Sequence, residues 1–254
     1  MYDKIASLIL FILKIKWFFI LLLIFFLERK FKFLRYILSF FIYPFMRKIK
    51  FRTIESLISF TFWCRPIRPM QIKKEIIELL KIVKKENCKT LIEIGTAKGG
   101  TLFLFTRVVS PDAILISIDL PKGKFGGGYS VFRIPLYKSF KYKNQKIFLL
   151  RENFHEYSTF EEVKKILGEK KADVLFIDGD HTYYGVKKDF EMYKKLVKNG
   201  GLIIFHDIFS HTFDSEVEVY RFWNEIKDKY DVIEICSKEK VSYGIGIIRN
   251  EDRD

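Results

Sequence analysis

The polarity pattern of the chain is organised around residues 90–101, which read TLIEIGTAKGGT. An apolar run through Leu91, Ile92 and Ile94 passes directly into small residues from Gly95 to Gly100, and a second apolar run opens at Leu102. This pattern predicts a strand, a glycine loop and a helix. Glycines let a ligand approach the backbone closely, and the free N–H groups of the helix's first turn face it. Upstream, Ile72, Ile76, Ile77, Leu79, Leu80 and Val83 recur at helical spacing, predicting an amphipathic helix over 71–85. Downstream, 113–118 (AILISI) predicts a buried strand ending at Asp119, and 122–143 reads as irregular and Gly-rich. Further strands are expected at 147–150, 174–177 and 202–205, helices at 159–167, 183–197 and 215–229, and a closing strand pair at 232–235 and 244–248. Alternating strands and helices imply an α/β fold with a parallel sheet, helices on both faces and an antiparallel pair at one edge.

Before residue 70 the pattern changes. Residues 17–27 (WFFILLLIFFL) are unbroken apolar, 5–13 nearly so, and 33–46 form a third greasy stretch, with Lys14 and Lys16 between the first two. A spanning helix needs about 20 apolar residues. Residues 5–27 would therefore span only with two lysines near their middle, each costing roughly 2.5–3.5 kcal/mol. No small-residue cleavage site follows Leu27, where Glu28, Arg29, Lys30 and Lys32 stand, so the segment is expected to be retained. The joint at 65–69 (RPIRP) would end any preceding helix. Two parts are expected: a hydrophobic, basic arm (1–65) and an α/β domain (66–254).

Composition sharpens this division. The chain has 254 residues, 49% of them hydrophobic, enough for one full α/β domain. Its net charge is +14, but residues 1–70 carry 13 Lys/Arg against 3 Asp/Glu, while the remainder carries 32 against 28. Thirteen of the 27 Phe also lie before residue 71. An arm both greasy and cationic suits an anionic membrane surface better than a nucleic-acid groove, so the expected location is the cytoplasmic face of a membrane, without a nucleic-acid partner. The alternative is a helical hairpin packed on the domain or on a second copy of the chain, which would make a homo-oligomer. Cys64, Cys88 and Cys236 form no CxxC and no metal spacing, and are expected to be reduced, partly buried thiols.

In open α/β sheets ligands bind beyond the carboxyl ends of the strands, so the residues ending each strand carry the candidate chemistry. Asp119 follows Gly95 by 24 residues, the offset at which an acidic residue takes ribose hydroxyls, and this implies a nucleoside cofactor. Its bland alternative is a solvated residue or helix cap before Pro121. The NAD fingerprint wants glycine where this chain has Ala97, and serves a pyrophosphate. The loop suits a cofactor without one, such as S-adenosylmethionine. Asp178, His206 and Asp207 would converge from two adjacent strand ends, a donor set for a divalent ion such as Mg²⁺ or Mn²⁺ that lowers a substrate hydroxyl's pKa. Asp178 is thus both a catalytic and a cofactor-side candidate, and His181 on the same loop is the candidate base. Against this, Asp178 and Asp180 could cap the next helix and a single His is often structural.

With these residues placed, the chain resembles the class I S-adenosylmethionine-dependent methyltransferases, most closely the branch labelled cephalosporin hydroxylase-like. The likeness rests on LIEIGTAKGGT, ISIDLP with the later GGGY, LFIDGDHTYYGVKKDFEMY, and GGLIIFHDI with the tail stretches VEVYRFWNEIKDKY and YGIGII, over about residues 70–250. It implies a Rossmann-like seven-stranded sheet of order 3-2-1-4-5-7-6. It also implies a cofactor loop of Glu93, Gly95, Thr96, Ala97 and Gly99, a ribose acid at Asp119, and an adenine-side segment containing Asn153 and Phe154. In the related catechol and caffeoyl-coenzyme A type enzymes a Mg²⁺ sits at the positions of Asp178, His206 and Asp207. His206 as middle ligand departs from that pattern and shifts the preference toward Mn²⁺ or Fe²⁺. His181 follows the first ligand, where those enzymes place a catalytic Lys. The expected activity is O-methylation of a hydroxyl on a sugar, lipid-linked glycan or secondary metabolite. The rivals are a non-catalytic nucleoside-binding membrane-tethered scaffold and an NAD-dependent oxidoreductase.

Overall fold

The computed structural model describes residues 46–123, 125, 127–210, 216–237 and 243–251. The chain divides into two compact units, Met1–Lys48 and Ile49–Asp254. The expected interfacial or spanning stretches before residue 46 lie outside the described residues, among which no helix is long and apolar enough to cross a membrane.

The second unit opens with α1 (Ile54–Trp63), started by a capping box in which Thr53 and Ser56 exchange side chain-to-backbone hydrogen bonds. Leu57 and Ile58 of α1 are buried, and Phe60 meets Phe103 with ring centroids 6.0 Å apart. This helix belongs to the same compact unit as the sheet, so the unit begins upstream of the joint expected at 65–69. At that joint Pro66 sits in a short 3-10 turn, Arg65–Ile67. The amphipathic helix α2 follows at Lys73–Lys85, two residues shorter at its start than expected.

Seven strands form one sheet: β1 (Thr90–Ile94), β2 (Ile114–Ile118), β3 (Lys146–Leu150), β4 (Ala172–Ile177), β5 (Val197–His206), β6 (Val232–Ile235) and β7 (Ile245–Arg249). Their order is β3-β2-β1-β4-β5-β7-β6, with β7 antiparallel to both β5 and β6 and all other pairs parallel. The expected order is borne out. β1 and β4 are fully or almost fully buried, which is why they read as continuous apolar runs rather than alternating ones. The helices between strands are α3 (Gly100–Val108), α4 (Ile134–Ser139), α5 (Tyr157–Leu167), α6 (Tyr183–Tyr193) and α7 (Val219–Ile226). α4 departs from the irregular segment expected there. Pro135 occupies its first turn, where a missing N–H costs nothing and the fixed φ favours the helix.

Below the sheet, Ile92, Ile94, Leu175, Ile177, Ile203 and Phe205 pack against Val186, Phe190, Phe222 and Trp223 of α6 and α7. Trp223 is wholly buried, and a Cβ on Gly246 would lie 2.6 Å from its ring, so the strand glycine makes room for the indole. The three cysteines are free: Cys64 is half-buried, Cys236 is exposed, and burial pushes the Cys88 thiol up to about 12.

Candidate active site

β1 ends against the neighbouring strand ends. Gly95 N–H donates to Ile118 O at 2.9 Å, and the residue adopts φ 96°. A Cβ there would sit 1.9 Å from the backbone oxygen of Asp178, so only glycine can bring β1 this close to the end of β4. The carbonyl side of the following turn is held by α4 and the residue that caps it: Tyr137 Oη donates to Ala97 O at 2.8 Å, and Arg133, the N-cap, donates to Lys98 O at 3.2 Å and to Pro66 O. On its N–H side, Ala97 donates to Asp119 Oδ2 at 2.8 Å, while Gly128 donates to Asp119 Oδ1 at 2.9 Å. Asp119 is therefore neither a solvated residue nor a helix cap. It is buried, ties two glycine-rich loops together, and burial outweighs these bonds in raising its pKa.

Beneath the loop, Glu93 is fully buried and accepts from Ser117 Oγ at 2.5 Å, and that hydroxyl lies 2.6 Å from Thr96 Oγ1. Burial pushes Glu93 up to about 8, against the lowering effect of the Ser117 and Thr101 hydroxyls. The folded state thus keeps a proton that the unfolded chain loses near pH 4.5. The resulting stabilisation is fully present below about pH 4.5 and is lost as the pH rises to about 8. Glu93→Gln, neutral throughout, is expected to abolish that decline in urea-unfolding series between pH 5 and 8; an unchanged decline would show that Glu93 is ionised in the fold.

The glycine loop opens onto a cleft of about 520 Å³. Of the expected site residues, Gly95, Thr96, Ala97, Asp178, His181, His206 and Asp207 line it. His206 Nδ1 lies 3.1 Å from both Asp178 Oδ1 and Asp207 Oδ2, and His181 places Nδ1 3.1 Å from Asp207 Oδ2 and Nε2 3.5 Å from Asp178 Oδ1. Burial opposes protonation of both imidazoles, but the Asp207 and Asp178 carboxylates outweigh it, raising His181 and raising His206 further. Asp207 holds a left-handed φ of 63°, sparsely populated by non-glycine residues, and is anchored by its N–H to Gly244 O at 3.1 Å. Asp178 and Asp180 separate in role. Asp180 Oδ1 accepts from Thr182 N and Oγ1 at the start of α6, whereas Asp178 caps nothing and faces the cleft.

Glu93, Gly99, Asp119, Asn153 and Phe154 do not line this cleft. Gly99 is the left-handed N-cap of α3. Asn153 organises the entry to α5, accepting from His155 N at 3.0 Å, and Phe154 is buried in the core with its carbonyl accepting from Tyr193 Oη at 2.9 Å.

Three contributors had no sequence signal. Gln71, just after the proline joint, donates from Nε2 to Asp178 Oδ2 at 2.6 Å. Phe125 stacks on His181 at 4.9 Å with ring planes 4° apart. Glu75, buried on α2, accepts from Ser237 N at 3.0 Å and Gly244 N at 3.2 Å, gripping both described ends of the β6–β7 connection that supports Asp207.

Residues 92–208 match the family model described as methyltransferase domain. Over those residues the chain is similar to methyltransferase domains. Its fold is shared with an O-methyltransferase from Bacillus cereus in complex with SAH (16% identity, TM-score 0.54, covering 80% of this chain and 92% of that one). It is shared equally with a putative caffeoyl-CoA O-methyltransferase from Staphylococcus aureus (22% identity, TM-score 0.55, 78% and 93%). An uncharacterised protein of Acanthamoeba polyphaga mimivirus is 31% identical over 160 residues, 59% of this chain. An uncharacterised protein of Sinorhizobium fredii is 24% identical over 143 residues, 54% of this chain. The chain spans 65% of the length of the mimivirus relative and 15% of the Sinorhizobium one.

Proposed function

We propose that the chain is an S-adenosylmethionine-dependent O-methyltransferase, and the observation that carries this is the convergence of Asp178, His181, His206 and Asp207 on the cleft opened by the glycine loop. When bound, S-adenosylmethionine supplies a methyl group on a sulfonium centre. The close turn at Gly95, on the cleft wall, suits a nucleoside, and the match to methyltransferase domains supports the same reading. Methyl transfer to oxygen needs positioning and removal of one proton. Asp207, by accepting from Nδ1 of His181, leaves Nε2 to take the hydroxyl proton. Phe125, stacked on that ring, and Gln71, bonded to Asp178, hold the two groups in place.

A divalent ion fits the donor set. His206 Nε2 is buried without a partner, its Nδ1 faces two carboxylates out of hydrogen-bond alignment, and Asp178, His181 and Asp207 also present ligand atoms within 4.8 Å of one another. Mg²⁺ or Mn²⁺ held by Asp178, His206 and Asp207 would supply a Lewis acid for the hydroxyl. Equilibrium dialysis with Mn²⁺ separates the imidazoles: His206→Ala is expected to lose the ion, whereas His181→Ala retains it and loses turnover. The reverse result exchanges their roles.

The acceptor class that fits a greasy, cationic arm is a sugar, lipid-linked glycan or secondary metabolite handled at the cytoplasmic face of a membrane. Calorimetry with S-adenosylmethionine and with NAD, each with and without EDTA, tests the cofactor. Binding of the methyl donor alone is expected; binding of NAD alone would overturn the proposal.

A further inference from the structure

Among the described residues seven large hydrophobic side chains are markedly exposed, and four of them, Trp63 (47%), Met70 (65%), Val131 (49%) and Phe132 (62%), come from two short segments. Those segments touch. Arg133 donates to Pro66 O on one side and Lys98 O on the other, joining the turn after α1 to the turn before α4 beside the glycine loop. Arg68, Met70 and Lys98 then form part of the cleft lining, so the apolar patch borders the cleft's mouth.

The charge pattern of the same two segments is one-sided. Residues 56–74 and 120–151 contain no Asp or Glu, yet carry 4 and 8 Lys/Arg respectively. The domain outside the arm is otherwise nearly balanced. Arg68 and Lys98 make no ion pair among the described residues. Exposed Trp, Phe, Val and Met ringed by cations is the composition of a surface that rests in the headgroup layer of an anionic bilayer, aromatic and aliphatic tips inserted and cations at the phosphates. A nucleic-acid face would not need the aliphatic tips, and an acidic protein partner would not need them so close to a small-molecule cleft.

We propose that the domain itself, independently of the arm, docks on an anionic lipid surface through Trp63, Met70, Val131 and Phe132, with the cleft mouth at the lipid–water boundary. The direction of the cleft toward lipid rests on the methyltransferase reading, and implies an acceptor hydroxyl presented at headgroup depth. The docking face does not rest on it.

The chain has three tryptophans, Trp17 in the arm, Trp63 on this face and Trp223 in the core, which gives a direct readout. Full-length Trp17→Phe protein is mixed with phosphatidylcholine–phosphatidylglycerol vesicles whose acyl chains are brominated near the headgroup. Emission is expected to be quenched on binding, and the Trp17→Phe/Trp63→Phe protein, reporting Trp223 alone, is expected to bind without quenching. Val131→Ser/Phe132→Ser is expected to weaken partition onto these vesicles about tenfold, and pure phosphatidylcholine to bind more weakly than the anionic mixture. Vesicle-bound protein with unquenched Trp63, as an arm-only tether would give, overturns the proposal, as does absence of binding. So does a dimer in sedimentation velocity that Phe132→Ser converts to monomer, which assigns the face to a second copy. No methyl donor or acceptor is present in these assays, so their failure leaves the activity standing, and failure of calorimetry leaves the docking face standing.

Discussion

Asp178→Asn is expected to lower transfer of tritiated methyl groups from S-adenosylmethionine into a total cell extract by about 10²–10⁴-fold, the range for removing a group that governs proton transfer. The substitution conserves shape but not charge. Gln71 Nε2 donates to Oδ2, so an asparagine would turn its oxygen toward Gln71 and its amide hydrogens toward His206. One of the two carboxylates that raise the His206 and His181 pKa values is then gone, and the donor set loses an anionic oxygen. Asp180→Asn is the matched control. Asp180 serves Thr182 at the start of α6, so its loss should appear as about 1 kcal/mol of stability and leave turnover within a few-fold. Equal loss of turnover in both variants would mean that the loop's conformation, not the Asp178 charge, supports the reaction.

The largest effect on folding is expected at Gly95. An alanine there meets the strain of a left-handed backbone and a backbone oxygen of Asp178 at 1.9 Å, an atom that cannot rotate away as a side chain would. The combined cost is about 2–5 kcal/mol, from left-handed strain and overpacking together. Gly200→Ala isolates the first contribution, because Gly200 has φ 74° and nothing within 4 Å of its would-be Cβ; about 1–2 kcal/mol is expected there. Urea midpoints at constant m-value measure both. If Gly95→Ala costs no more than Gly200→Ala, β1 and β4 are not held at this separation.

The sheet was legible because β1, β4 and the apolar part of β5 are buried on both faces, which writes them as unbroken Leu, Ile, Val and Phe runs. The polar strand ends were legible for the complementary reason: Asp178, His206 and Asp207 interrupt such runs where a solvated turn alone would not need them. α4 was hidden by its proline and by the glycines before it, which read as loop although Pro135 starts the helix. Asp119 carried the right spacing but not its partner, because the Gly128 N–H is a backbone donor and backbone donors leave no trace in residue type. Phe154 shows a further limit. An aromatic residue after a strand can face a ligand or the core, and only the packing of Tyr193 and Gly179 around it places it in the core. Gln71 lies 107 residues from Asp178, beyond the reach of any local pattern.

The Glu75 clamp has a consequence for the order in which the molecule is made. Its two oxygens reach partners 162 and 169 residues further along the chain, so the contact closes one of the longest loops in the domain. During synthesis the sheet from β1 to β5 can assemble while Gly244 is still to be translated, but the carbonyl that anchors Asp207 does not yet exist. The metal-type cluster is therefore completed only at the last hairpin. A chain stalled or clipped before Tyr243 would hold most of its fold and a glycine loop, with Asp207 released from its left-handed conformation.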